Sequence, residues 1–251
     1  SNITTRLDIG GHGGGGDVGG NGVVNMTAGS MNLASLYMSN SQTDGNQTSS
    51  FNQTGGTVTI KGGACRLGVR GDATYTIGGG ETLASLLVNP GNEFVNVSGN
   101  SNSTINLSYG AASDGVYKDS TLTINSNGFV HCNNITMESV NGAGDDDSEA
   151  TLNLNGGTLL IEGNWNGGIA LTNNATLNIG EGELIWAHWM QPLAEYLRQA
   201  WTNGHINLTA GITEVPSNSV AILTDGDYTL YGESYNSSNK VYSSEKRVDS
   251  T

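Results

Sequence analysis

Charge is scarce in this chain of 251 residues: 13% are Asp, Glu, Lys or Arg, and only nine are Lys or Arg. Nine cations within a net charge of −14 exclude a nucleic-acid partner, because phosphate contacts need many Lys and Arg gathered on one face. Aromatic residues are few, at 6%, and Lys and Glu are too sparse for a helical globular domain. No apolar run approaches the ~20 residues of a membrane-spanning helix, so no membrane span is expected. No signal peptide is visible, and a secreted form is expected to be a processed one. Two cysteines, Cys65 and Cys132, are too few for a disulfide framework. They form one bridge in an oxidising compartment or sit as small apolar core residues, and their different places relative to the repeats argue against simple stacking.

In place of charge the chain has 38 Gly, 30 Asn and 50 Ser plus Thr, the residues of turns and of the solvent face of strands. Disordered chains share this polarity but lack regularly spaced apolar residues. Here the spacing is regular. Val24-Asn25-Met26-Thr27-Ala28-Gly29-Ser30-Met31 aligns with Phe51-Asn52-Gln53-Thr54-Gly55-Gly56-Thr57-Val58 at an offset of 27, and Tyr75-Thr76-Ile77-Gly78 follows 24 further on. Ala150-Thr151-Leu152-Asn153-Leu154 recurs as Ala175-Thr176-Leu177-Asn178-Ile179 at an offset of 25. Thr121-Leu122-Thr123-Ile124 reads as a degenerate copy, and Thr104-Ile105-Asn106-Leu107 as a fragment without the glycine pair.

Each copy reads as a short strand, a glycine turn and a second short strand. In Thr151-Leu152-Asn153-Leu154 the apolar residues alternate, so Leu152 and Leu154 share one face. A unit of about 25 residues cannot bury that face alone, and stacking successive units does so. The expected fold is all-β: a right-handed parallel β-helix, or solenoid, over residues 1–187. Its hand is set by analogy with parallel crossover connections. A sandwich or barrel of hairpins is the alternative, but hairpin loops do not recur at such near-constant long offsets.

From His188 to Gly204 the pattern breaks. Trp189, Leu193, Tyr196, Leu197, Ala200 and Trp201 fall at helical spacing, with Pro192 in the first turn and Gly204 as the stop. A short amphipathic helix over 188–204 is expected to cap the core or to dock on another molecule. Its polar face, with Glu195, Arg198 and Gln199, does not suit membrane insertion. Residues 205–251 read as a terminal β segment and polar tail.

The units Phe51-Asn52-Gln53-Thr54-Gly55-Gly56-Thr57-Val58-Thr59-Ile60 and Ala150-Thr151-Leu152-Asn153-Leu154-Asn155-Gly156-Gly157-Thr158-Leu159 resemble the autotransporter-passenger-like β-strand repeats of large secreted bacterial proteins. Gly182-Glu183-Leu184-Ile185-Trp186, followed by a helix and a strand, is similar to the end of such an array. The resemblance covers about residues 6 to 210. It implies a right-handed β-helix at the cell surface with roles in adhesion, matrix or appendages. Many members carry a C-terminal sorting signal, which is not visible here.

Asn-x-Ser/Thr sequons begin at Asn2, Asn25, Asn46, Asn52, Asn96, Asn102, Asn106, Asn134, Asn174, Asn207 and Asn236, eleven against roughly six by chance. Asn25 and Asn52 hold the same place in aligned repeats and are expected to stack on one outward face. They stand there as glycosylation candidates or as rungs of an asparagine hydrogen-bond ladder. Asp145-Asp146-Asp147 with Glu149 leaves calcium open, although such a run is usually a solvated loop. No other cofactor is indicated. Gly10-Gly11-His12-Gly13 departs from the calcium nonapeptide spacing and reads as a loop.

Catalysis by a β-helix requires paired acids or a basic cluster on one groove. Lys61, Arg66 and Arg70 lie close in sequence without paired acids or a nucleophile, and His12, His131, His188 and His205 are scattered. Arg70-Gly71-Asp72 spells an adhesion tripeptide that also arises by chance. The expectation is therefore not an enzyme. It is a structural extracellular or cell-surface solenoid that self-associates end to end into a fibre or surface layer, with the extended segment Tyr228 to Val248 free to add a strand to a neighbour. A glycan-binding or polysaccharide-degrading β-helix is the alternative, with Tyr37, Tyr75, Tyr109 and Tyr117 as candidate sugar contacts.

Overall fold

A computed structural model describes residues 5–11, 20–40, 47–61, 63–88, 104–108, 118–137, 148–162, 169–171, 174–180, 182–187, 200, 203–208, 212–216, 221–225, 228–232 and 243–248. Alternation of apolar with Thr, Asn or Ser residues makes strands, because successive side chains in an extended backbone point to opposite faces. The chain runs through β1 (Arg6–Ile9), β2 (Gly22–Met26) and β3 (Ser30–Leu33), then β4 (Ser35–Met38), β5 (Thr48–Gln53) and β6 (Gly56–Ile60). Next come β7 (Cys65–Leu67), β8 (Asp72–Ile77) and β9 (Ala84–Val88), then β10 (Thr104–Leu107), β11 (Ser120–Ile124) and β12 (Gly128–Cys132). After these follow β13 (Asn134–Met137), β14 (Ala150–Leu154) and β15 (Thr158–Glu162), then β16 (Ile169–Ala170), β17 (Ala175–Ile179) and β18 (Glu183–Ala187). The last strands are β19 (Ile206–Leu208), β20 (Ile212–Pro216), β21 (Ala221–Asp225), β22 (Tyr228–Gly232) and β23 (Ser243–Val248).

These strands form three sheets, and strands β1 to β18 visit them in turn. Sheet A orders β1-β4-β7-β10-β13-β16, and sheet B orders β2-β5-β8-β11-β14-β17-β19. Sheet C begins β3-β6-β9-β12-β15-β18 and continues into β23-β22-β21-β20. Every pairing from β1 to β19 is parallel, and the pairings of β20 to β23 are antiparallel. The chain is thus all-β with stacked parallel strands, an arrangement compatible with a β-helix. Among the described residues only Ala200 is helical.

Parallel register turns the alternation into columns of like residues. On sheet A, Leu36, Cys65, Ile105, Ile135 and Ile169 lie in line. Sheet B aligns Phe51, Tyr75, Leu122, Leu152 and Leu177, and sheet C aligns Val58, Leu86, Val130, Leu159 and Leu184. All fifteen are buried and belong to one hydrophobic cluster, the core shared by the three sheets. At the bend from β5 into β6, Gly56 takes a φ of +80°, and an added Cβ would lie 2.5 Å from the Gly29 carbonyl oxygen. Only glycine meets both demands.

The aligned repeats fall into register as the sequence offsets require, with Val24 on Phe51, Phe51 on Tyr75, and Ala150 on Ala175. Thr104-Ile105-Asn106-Leu107 is different. It is β10 of sheet A, whereas the copy Thr121-Leu122-Thr123-Ile124 lies in sheet B. All three sheets share the same alternation, so a bare strand carries no mark of its sheet. Cys65 and Cys132 are free, buried thiols on sheets A and C. Nearly all of the expected helix over 188–204 lies outside the described residues, but Ala200 is buried in the core cluster.

Candidate functional site: the outward asparagine ladder

The outward column of sheet B is Asn25, Asn52, Thr76, Thr123, Asn153, Asn178 and Asn207. Parallel strands ~4.8 Å apart bring identical side chains within hydrogen-bond reach. Asn52 Nδ2 donates to Asn25 Oδ1 at 3.0 Å, Asn178 Nδ2 to Asn153 Oδ1 at 2.8 Å, and Asn207 Nδ2 to Asn178 Oδ1 at 3.1 Å. Asn153 Nδ2 donates to the Thr123 hydroxyl at 3.2 Å, and beside the column Asn155 Nδ2 donates to Asn125 Oδ1 at 3.2 Å. All five bonds point the same way: the later residue gives its N–H and the earlier one accepts. Two side chains at the ends of the column are left incomplete. Asn25 Nδ2 has no acceptor and Asn207 Oδ1 has no donor among the described residues.

A second ladder runs along the corner before sheet B. Asn21 Oδ1 accepts the Thr48 N–H at 2.9 Å, Asp72 Oδ1 that of Asp119 at 3.2 Å, and Asp119 Oδ1 that of Glu149 at 2.9 Å. Asp72 therefore ties one layer to the next, and Arg70 donates its own N–H to the Ser39 carbonyl at 2.7 Å. The Arg70-Gly71-Asp72 triplet is held by these bonds. At the corner after sheet A, Ser39 and Ser108 take left-handed φ values of 55°, and their hydroxyls reach Asp72 O at 2.6 Å and Glu149 O at 2.7 Å.

Sheet A carries the basic residues outward. Tyr37 lies between two guanidinium groups, those of Arg6 and Arg66, each 4.9 Å from its ring centroid. Arg6 Nε also bonds Asp8 Oδ2 at 2.8 Å. Cations over an aromatic face are attracted to its negative quadrupole, so the Tyr37 ring is engaged by arginine. Tyr75 is buried in the core, stacked on Phe51 at 4.7 Å, with its hydroxyl donating to Gln53 Oε1 at 2.7 Å. Gln53 Nε2 in turn donates to the carbonyls of Gly56 and Ser85. Tyr109 and Tyr117 lie outside the described residues.

Five sequon residues, Asn2, Asn46, Asn96, Asn102 and Asn236, lie outside the described residues, as do Asp145, Asp146, Asp147, His12 and His188. Asn25 and Asn207 are exposed, and Asn52, Asn134 and Asn174 are half-buried. Asn106 is buried on the outward column of sheet A, in register with Arg66, and its Nδ2 has no hydrogen-bond partner. Lys61 is exposed just after β6, while Glu149 is exposed before β14. His131 is on sheet C, and His205 Nδ1 lies 3.0 Å from the Ala175 carbonyl, so these two are not brought together. Among the described residues no three His, Cys, Asp or Glu side chains gather to hold a metal ion.

Burial pushes the Cys65 thiol up from its ordinary 9.0 to about 12. The Cys132 thiol is raised by burial and then by the neighbouring Cys65, and the Tyr75 phenol by burial and then Cys65. These groups stay protonated and inert near neutrality. Gln53 and Tyr75 form a polar pair inside the core that sequence reasoning missed. Gln53 stands where aligned repeats have Met26 and Ile77, and that single departure was the available signal.

Compared with protein-family models, with curated proteins and with solved structures, the chain matches none.

Proposed function

We propose that this chain is a right-handed β-solenoid serving as a structural element outside the cell or at its surface, with a second copy of itself as partner. The observation that carries the reading is the register of the stack: one core column per sheet inside and, outside on sheet B, a column of Asn and Thr whose Asn25–Asn52 and Thr123-to-Asn207 stretches are polarised. Within those stretches successive layers are joined by side-chain bonds of one direction. Such a body gains stability with each added layer and presents a regular, uncharged polar face, which suits a stalk or surface element. The autotransporter-passenger-like resemblance belongs to this proposal, as does its extracellular setting. The acidic composition keeps such a protein soluble. Sugar contact at Tyr37 and Tyr75 is not part of it, since these rings are already engaged by Arg6, Arg66 and Gln53.

Sugar attachment is part of the proposal at Asn25 alone among the six described sequons. Its Nδ2 is unbonded, Thr27 beside it is exposed, and Oδ1 would still accept from Asn52 after Nδ2 is substituted. The test has two readouts on protein from its own host. Incubation with acidic polysaccharides, with and without calcium, is expected to leave their chain length unchanged, and Asn25→Gln is expected to lower the intact mass by one glycan. Depolymerisation of any of them overturns the structural reading, and an Asn25→Gln chain whose mass differs by the substitution alone overturns the glycan.

A further inference from the structure

The two ends of the stack are not alike. At the N-terminal end β1, β2 and β3 are the last strands of their sheets, so among the described residues three edges of backbone N–H and C=O groups are open. The core is open there too. Of the inward residues of these three strands, Leu7, Val24 and Met31 are only partly buried although those further along their columns are fully buried, while Ile9, Met26 and Leu33 are buried. Val23, on the outer side of β2, is 64% exposed. At the other end, among the described residues, sheet A ends at β16 and sheet B one layer further on at β19, and sheet C alone continues. Ala200 is buried against the core, and the edge of β18 is taken by the chain's own β23, with Ile185 opposite Glu245 and Ala187 opposite Ser243.

We propose that the N-terminal end is a two-fold interface at which a second copy docks, giving a closed dimer rather than an open fibre. This inference rests on the solenoid reading above. Head-to-tail growth needs a β18 edge free to receive β3 of the next copy, and that edge is occupied. Only the N-terminal end has all three edges open among the described residues, and an end that pairs with its like and stops makes an isologous contact. A two-fold axis across sheet B sets β2 antiparallel to its counterpart and exchanges sheets A and C, so that β1 meets β3 of the other copy. All three edges are then paired. Matching inward with inward residues sets Val24 against its symmetry mate and Val23 against Asn25, so this dimer and a sugar on Asn25 exclude one another and the dimer is formed by chains without that sugar. Charge agrees. The three strands hold one Arg and one Asp, so this end is neutral within a chain of net charge −14 and two copies approach without strong repulsion.

The test uses full chain whose intact mass shows no sugar. Sedimentation is expected to give a species of twice 26.0 kDa that does not grow further with concentration. Val24→Lys places an ammonium on the interface and is expected to weaken dimerisation at least tenfold, whereas Leu83→Lys, at an exposed position away from this end, leaves it unchanged. Because Val24→Lys also touches the first core layer, cross-linking gives an independent readout. Val23→Cys chains mixed with Asn25→Cys chains are expected to form a disulfide heterodimer in excess of Asn25→Cys with Asn207→Cys. Mass growth with preferential Asn25–Asn207 cross-links overturns the closed dimer but retains self-association. A monomer at every concentration overturns both. A dimer indifferent to Val24→Lys, without the Val23–Asn25 cross-link, overturns this interface alone.

Discussion

Asn52 Nδ2 lies 3.0 Å from Asn25 Oδ1, donating across the gap between β5 and β2. These residues are 27 apart in sequence and share a face only because their strands stack in register. The bond is one of a set pointing the same way, so a side chain in mid-ladder acts as both donor and acceptor. Asn178 does so, giving to Asn153 and receiving from Asn207, while Asn25 only receives. Asn178→Ala is expected to lower unfolding free energy by about 1–2 kcal/mol, and Asn25→Ala by under ~1 kcal/mol. Urea titrations of the two variants check this, and equal losses would count against a cooperative ladder.

The buried pair Gln53 and Tyr75 gives a sharper contrast. Tyr75→Phe leaves Gln53 Oε1 without its donor in the core, at a cost of about 1–3 kcal/mol. Gln53→Leu removes that acceptor and also the bonds to Gly56 O and Ser85 O. The double variant is expected to be less destabilised than the sum of the two singles, a coupling that a double-mutant cycle measures directly.

Glycine substitutions separate backbone conformation from crowding. Gly29 and Gly56 occupy adjacent layers with φ values of +88° and +80°, but nothing lies within 4 Å of an added Cβ at Gly29. At Gly56 it would meet the Gly29 oxygen at 2.5 Å and the Ala28 carbonyl carbon at 2.8 Å. Gly29→Ala is expected to cost about 1–2 kcal/mol from the left-handed conformation alone. Gly56→Ala is expected to cost clearly more, because a backbone contact must move. Thermal melts of both variants decide it.

Alkaline pH acts through the buried acids. In the unfolded chain Cys65 loses its proton near 9.0, whereas in the folded chain burial holds it to about 12. Above pH 9 the unfolded state therefore binds fewer protons, and stability falls as pH rises through this window. Cys132 and Tyr75 shift in the same direction and add to the loss. Urea midpoints at pH 7.0, 9.0 and 10.5 should decline beyond pH 9 (~ values chosen to bracket the window), and Cys65→Ala should flatten part of that decline. The same burial predicts that a thiol reagent labels neither cysteine until the chain unfolds.

Much of the architecture was legible because stacking imposes a recurring pattern on sequence. Val24, Phe51 and Tyr75, or Leu152 and Leu177, could be aligned by eye, and they share columns. Sheet A was harder to see. Its strands β7 and β16 have three and two residues, too short to show alternation, and β10 looks like any Thr-Ile-Asn-Leu strand. The outward pairing of Asn25 with Asn52 followed from their shared place in the aligned repeats together with alternation, but the common direction of the bonds did not, since it depends on side-chain orientation. The Tyr37 sandwich was invisible for a related reason. Arg6, Tyr37 and Arg66 come from three layers spread over sixty residues. The β20–β23 pairing on β18 was likewise not readable, because an extended tail has the same composition whether it meets its own chain or another.

Stacking in register is the premise beneath these predictions, and a pair of engineered cysteines tests it most directly. Thr151 and Thr176 are register partners on adjacent strands, ~4.8 Å apart between backbones and within disulfide reach. Thr151→Cys with Thr176→Cys should close an intramolecular disulfide under mild oxidation. Thr151→Cys with Asn178→Cys, two residues out of register and beyond about 7 Å, should not. Equal bridging in the two proteins, or none in either, would contradict the stacked arrangement.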